Sequence, residues 1–101
     1  MPVIERPEVV LVAALAAVRA ADPSLFAQIA SARPGPAGSV ELDLEGLGMI
    51  RLDAPVGPEV VRAVAAVERD LDARSQPWRE LDGRYAGWVV VRRPTKAEAS
   101  S

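Results

Sequence analysis

The densest set of reactive side chains lies between Trp78 and Arg93. The run Trp78-Arg79-Glu80-Leu81-Asp82-Gly83-Arg84-Tyr85, with Trp88, Arg92 and Arg93 beyond it, interleaves guanidinium groups with aromatic rings. Guanidiniums neutralise phosphates while rings stack on bases or on a partner's rings. From Arg74 to Lys96 six positive side chains stand against two negative ones, Glu80 and Asp82. That local excess would suit phosphate or nucleic acid. The plainer alternative is packing, with Trp78, Tyr85 and Trp88 in a core or at its edge and the arginines closing a strand.

The opposite excess sits between Glu41 and Glu59, where Glu41, Asp43, Glu45, Asp53 and Glu59 outweigh Arg51. Three acids on one strand face offer hard oxygen ligands to a divalent ion. Such a face is more often plain solvated surface that discourages edge pairing, and no ligand-loop motif accompanies it. Acidic and basic segments of matching size invite another reading, in which the two meet across a contact between subunits and set its orientation.

Catalytic groups are scarce. The chain has no His, no Cys and no Asn, one Lys (Lys96) and one Thr (Thr95), so the side chains most used as bases, thiol nucleophiles and transition-metal ligands are missing. Ser24, Ser31, Ser39 and Ser75 have no His or Lys beside them as activating base. Asp70 and Asp72 are two apart on a helical segment and point in different directions. Gly46-Leu47-Gly48 begins like a dinucleotide fingerprint, but Arg51 stands where the third glycine belongs and no helix follows. A helix-turn-helix with a wing is opposed by an acidic hairpin, which phosphate repels. The residues imply no cofactor, no metal and no enzyme.

The elements that must position these groups follow from periodicity. Pro7 suits the first turn of a helix, and Glu8 to Ala21 continues it with Arg19 as the one charge after Glu8. Its ten-residue apolar run, Val9 to Val18, is far short of the ~20 residues that span a bilayer, and no basic leader precedes it. A helix apolar around most of its circumference is either central to a fold or partly an interface. Asp22-Pro23 reads as an N-cap and first helical position, starting a second helix through Arg33 that Pro34-Gly35-Pro36 stops. Val40, Leu42 and Leu44 alternate with acids, and Ile50 and Leu52 alternate with Arg51 and Asp53, which predicts a hairpin over about 39–54. Glu59 to Arg74 carries Val60, Val61, Val64, Val67 and Leu71 on one stripe of a third helix. Arg84 to Arg93 reads as a third strand with apolar residues on both faces.

The order α-α-β-β-α-β predicts an α+β fold: a three-stranded sheet, hairpin plus C-terminal strand, packed by three helices, with the third helix crossing between the second and third strands. Residues 1–6 read as a flexible lead-in, 7–93 as a single domain and 94–101 as a disordered tail. Eleven Arg to one Lys and an Ala/Val-rich apolar set match a GC-rich, bacterial genome. The net charge of -2 gives no overall pull toward nucleic acid or anionic lipid, and the expected location is the cytoplasm, away from membranes. The first helix and the last strand together carry more apolar surface than one copy of so short a chain readily hides. Leaving a few hundred Å² wet, at ~25 cal/mol per Å², costs several kcal/mol, comparable to a small domain's whole stability.

The sequence thus points to a non-catalytic protein-protein interaction module, a homo-oligomer or a small subunit or adaptor of a larger assembly. Its contact residues are Val9, Val10 and Val12 on the first helix and Trp78, Arg79, Arg84, Tyr85, Trp88, Arg92 and Arg93 in the C-terminal segment. The alternatives are a small nucleic-acid-binding protein using segment 78–93, and a small-ligand binder or carboxylate enzyme.

Overall fold

The computed structural model describes residues 7–45, 48–84 and 88–93. The lead-in 1–6, the tail 94–101 and Tyr85 lie outside them. Helix α1, Pro7–Ala21, has Pro at its start, Glu8 in its first turn and Arg19 in its last, the polarity that the helix dipole favours. It ends at Asp22, whose N–H still donates to the Val18 carbonyl at 2.8 Å. The Asp22 carboxylate then accepts from the Leu25 N–H at 2.9 Å and caps α2, Pro23–Ala27.

Here the first departure from the sequence reading occurs. Helix α2 stops after five residues, and the segment expected to continue it to Arg33 is instead strand β1, Ile29–Pro34. The cause is tertiary. Strand β1 pairs antiparallel with β2, Ser39–Leu44, setting Arg33 opposite Glu41 and Ser31 opposite Asp43, and those cross-strand partners outweigh the helix propensity of an Ala-containing segment.

The hairpin forms where alternation places it, with β2 paired antiparallel to β3, Met49–Asp53. Helix α3, Pro58–Ala73, then crosses to a strand parallel to β3. That strand is β4, Glu80–Asp82, and β5, Val90–Arg92, folds back antiparallel on it. The single third strand expected over 84–93 is therefore corrected twice: its helical crossover lands earlier, at Glu80, and of its described residues Val90–Arg92 form the strand. The three-stranded sheet becomes a five-stranded mixed sheet in the order β1-β2-β3-β4-β5.

Period-two alternation gives this sheet two unlike faces. Val40, Leu42, Leu44, Ile50, Leu52 and Leu81 form one face and join Ala14 and Val18 of α1, Leu25 of α2 and Val61, Val64 and Leu71 of α3 in one buried cluster. All three helices contribute to that cluster, so the opposite face of the sheet carries no described helix. The strand β4 exit passes close under α3 at Gly83, where a Cβ would lie 2.8 Å from Leu52 Cδ2 and 3.0 Å from methyls of Val60 and Val64. A methyl there would force those side chains to move. No helix among the described residues is long and apolar enough to cross a membrane.

Candidate functional site

Two surfaces collect the residues singled out by sequence. The first is the helix-free face of the sheet. Register sets Arg33, Glu41, Arg51 and Asp82 in one row across β1 to β4, and Met49, Glu80 and Arg92 in the next across β3 to β5. Arg33 Nε donates to Glu41 Oε1 at 2.9 Å, and Arg51 Nη2 donates to Glu41 Oε2 at 2.7 Å. Arg33 also donates to Asp43, as does the Ser31 hydroxyl. Further along, Arg51 lies 3.8 Å from Glu80, Arg92 donates to Glu80, and Arg92 Nη1 reaches Asp82 Oδ2 at 3.5 Å. Arg84 closes the series with Nε to Asp82 Oδ1 at 2.9 Å and Nη2 to Oδ2 at 2.7 Å, a bidentate pair.

Cations and carboxylates thus alternate across all five strands. The hairpin acids Glu41 and Asp43 pair with Arg33 and Arg51, whereas Arg84 and Arg92 of the C-terminal segment pair with that segment's own Asp82 and Glu80, and the two groups are joined through Arg51 and Glu80. Electrostatics follow from this pairing. The Arg84 side chain is the main reason that the Asp82 carboxyl is held below the usual carboxylate range, outweighing a burial that would raise it, and Asp82 has 0% of its surface exposed. Arg33 is pushed up chiefly by its hydrogen bond to Asp43. A carboxylate saturated by guanidiniums is a poor proton acceptor, and no group of three or more acids placed to hold a metal ion occurs among the described residues.

The remaining C-terminal candidates are dispersed. Trp78 is buried in the core cluster beneath the helices. Arg79 is exposed, while its backbone ties the strands together, its N–H donating to the Arg92 carbonyl at 2.8 Å and its carbonyl accepting from the Met49 N–H at 2.9 Å. Arg93 donates to the Gln76 side chain at 3.0 Å. Trp88 is the outlier, 70% exposed beside a groove of about 470 Å³ that includes Val60, Ala63 and Arg84.

The second surface is the outer side of α1. Ala14 and Val18 face the core, whereas Glu8, Val9, Val12, Ala13, Ala16, Arg19 and Ala20 are exposed. Their spacing of three and four makes one continuous stripe along the helix. Val9 is 53% and Val12 67% exposed; Val10, the third predicted contact on this helix, is half-buried against the core. Towards the C-terminal end of the stripe, Leu15, Ala16, Arg19, Ala20 and the half-buried Phe26 of α2 line a shallow depression of about 480 Å³. The Arg19 guanidinium lies 5.9 Å from the Phe26 ring centroid, within cation-π range. Neither Glu8 nor Arg19 is ion-paired to another described residue.

Two features of the polar architecture were not singled out by sequence. Asp22 accepts from Arg69 Nη2 of α3 through both oxygens at 2.7 Å, anchoring α3 to the corner between α1 and α2. Burial would raise the Asp22 carboxyl, but hydrogen bonds from the Leu25 N–H and Arg69 overcome it and hold the group low. Glu68, buried on the adjacent position of α3, is instead pushed up by burial first and the nearby Asp72 charge second. Comparison with protein-family models, with curated proteins and with solved structures finds no match for the chain.

Proposed function

We propose that this chain is a non-catalytic protein-interaction module that meets its partner through the outer side of α1, as a homo-oligomer or as a small subunit or adaptor of a larger assembly. The observation that supports it is the exposure of Val9 and Val12 in a stripe otherwise made of Ala13, Ala16 and Ala20 and bounded by Glu8 and Arg19. Burying a valine side chain is worth about 1.5–3 kcal/mol relative to leaving it wet. Covering two half-exposed valines and three alanines therefore recovers several kcal/mol, a useful part of the free energy of a specific complex. The charged sheet face adds little to such a drive, because its carboxylates are already paired within the chain.

A photoreactive residue placed at Val12 in the expressed protein tests the reading. Crosslinks to a protein should form there and not from the same residue at Arg62, an exposed position of α3. Equal yields at the two positions, or none at Val12, would contradict it.

A further inference from the structure

The stripe on α1 is self-complementary, and this deepens the reading of α1 as a contact surface by naming the occupant. The helix has 15 residues and is therefore about 22 Å long. Its exposed side bears one acid near the start, Glu8, and one base near the end, Arg19, with only Val and Ala between them. The point midway between Glu8 and Arg19 falls within one residue of the point midway between Val12 and Ala16. Turned end for end about a twofold axis at that point, a second α1 sets its Arg19 beside Glu8 and its Glu8 beside Arg19, while each Val12 lies over the other copy's Ala16. Large residues then meet small ones, and Ala13 and Ala16 let the two backbones approach closely. A parallel arrangement would instead oppose Glu8 to Glu8 and Arg19 to Arg19.

We infer that α1 pairs antiparallel with α1 of a second copy of this chain, in an isologous dimer whose register is fixed by two Glu8–Arg19 pairs. Two helices of this length bury less than roughly 1,200 Å² in total, the range of weak, concentration-dependent complexes. The dimer is accordingly sought in the micromolar range, on the order of 10–100 µM, where weak complexes dissociate.

Sedimentation equilibrium of the purified chain from about 5 to 500 µM, spanning that range, reads the association directly. Three predicted results define the pairing. Glu8→Arg or Arg19→Glu alone raises the dissociation constant about tenfold, since both pairs turn repulsive. Glu8→Arg combined with Arg19→Glu returns it to within about threefold of the unsubstituted chain, because the pairs re-form with signs exchanged. Val12→Glu abolishes the dimer with an unchanged circular dichroism spectrum. A dimer weakened by Val12→Glu but indifferent to either charge reversal overturns the antiparallel register and leaves α1 as the contact surface. A monomer throughout overturns self-pairing while the photocrosslink at Val12 still decides the broader reading. A dimer untouched by Val12→Glu also overturns self-pairing through α1, and the photocrosslink at Val12 again decides the broader reading.

Discussion

Replacing Asp82 with Asn removes the most deeply buried charge in the sheet while conserving volume. Asp82 accepts three hydrogen bonds from Arg84, at 2.7, 2.9 and 3.1 Å, and a longer one of 3.5 Å from Arg92. An asparagine keeps one acceptor and turns an NH2 donor towards a guanidinium. Breaking a buried pair by neutralising one partner costs about 3–5 kcal/mol. Arg84 and Arg92 remain 24% and 36% exposed, so water relieves part of that cost and about 2–3 kcal/mol is the working figure. For a domain of this size each kcal/mol lowers Tm by about 4–8 °C, giving a fall of about 10–20 °C in thermal denaturation followed by circular dichroism. The pH dependence carries the sign. Asp82 is held below its ordinary value of 3.8, so the stability it supplies is present above that value and is lost as pH falls through the depressed one. The gap between the two proteins should therefore be widest near neutrality and close in acid. A loss under about 0.5 kcal/mol, the scatter of ordinary surface substitutions, or a gap that persists unchanged in strong acid, would refute the charge-ladder account.

Other substitutions probe other parts of the fold. Gly83→Ala drives a methyl into Leu52, Val60 and Val64 and should cost about 1–3 kcal/mol in urea denaturation. Asp22→Ala removes the cap of α2 and the anchor for Arg69; about 1 kcal/mol of loss is expected from the cap, with little added by the half-exposed Arg69. Glu68→Gln should raise Tm at pH 7, because Glu68 is held above its ordinary value of 4.5 and its ionised form is costly in the fold. As pH falls below that value both versions are neutral, and the difference should disappear.

What the sequence disclosed was set by how local each cause is. The hairpin was legible because β2 and β3 alternate Val, Leu and Ile with charges at period two, and α3 because its valines repeat at helical spacing. Strand β4 was not. Its three residues Glu80-Leu81-Asp82 carry two acids, a pattern that suits an exposed turn until Arg84, Arg92 and Arg51 are brought alongside by the parallel crossover. Strand β1 failed for the same reason, since Arg33 and Ser31 find their reason to extend only in Glu41 and Asp43 across the ladder. Of the contact residues named from sequence, Val9, Val12 and Trp88 are strongly exposed, while Trp78 lies in the core. Nothing beside Trp78 in the chain distinguishes a core ring from a contact ring. The surplus of apolar surface on α1 was legible because it needs no partner position to be recognised, only that Arg19 alone interrupts the run from Val9 to Ala21.

A dilution series of backbone amide NMR spectra on the unsubstituted chain, from about 20 µM to 1 mM so as to bracket a weak dimer, tests the central claim most directly. Shifts that move with concentration along residues 8–20 and at Phe26, and leave the charged rows of the sheet unmoved, are the predicted result. Spectra identical across the series, or changes centred on the sheet face or Trp88, would contradict it.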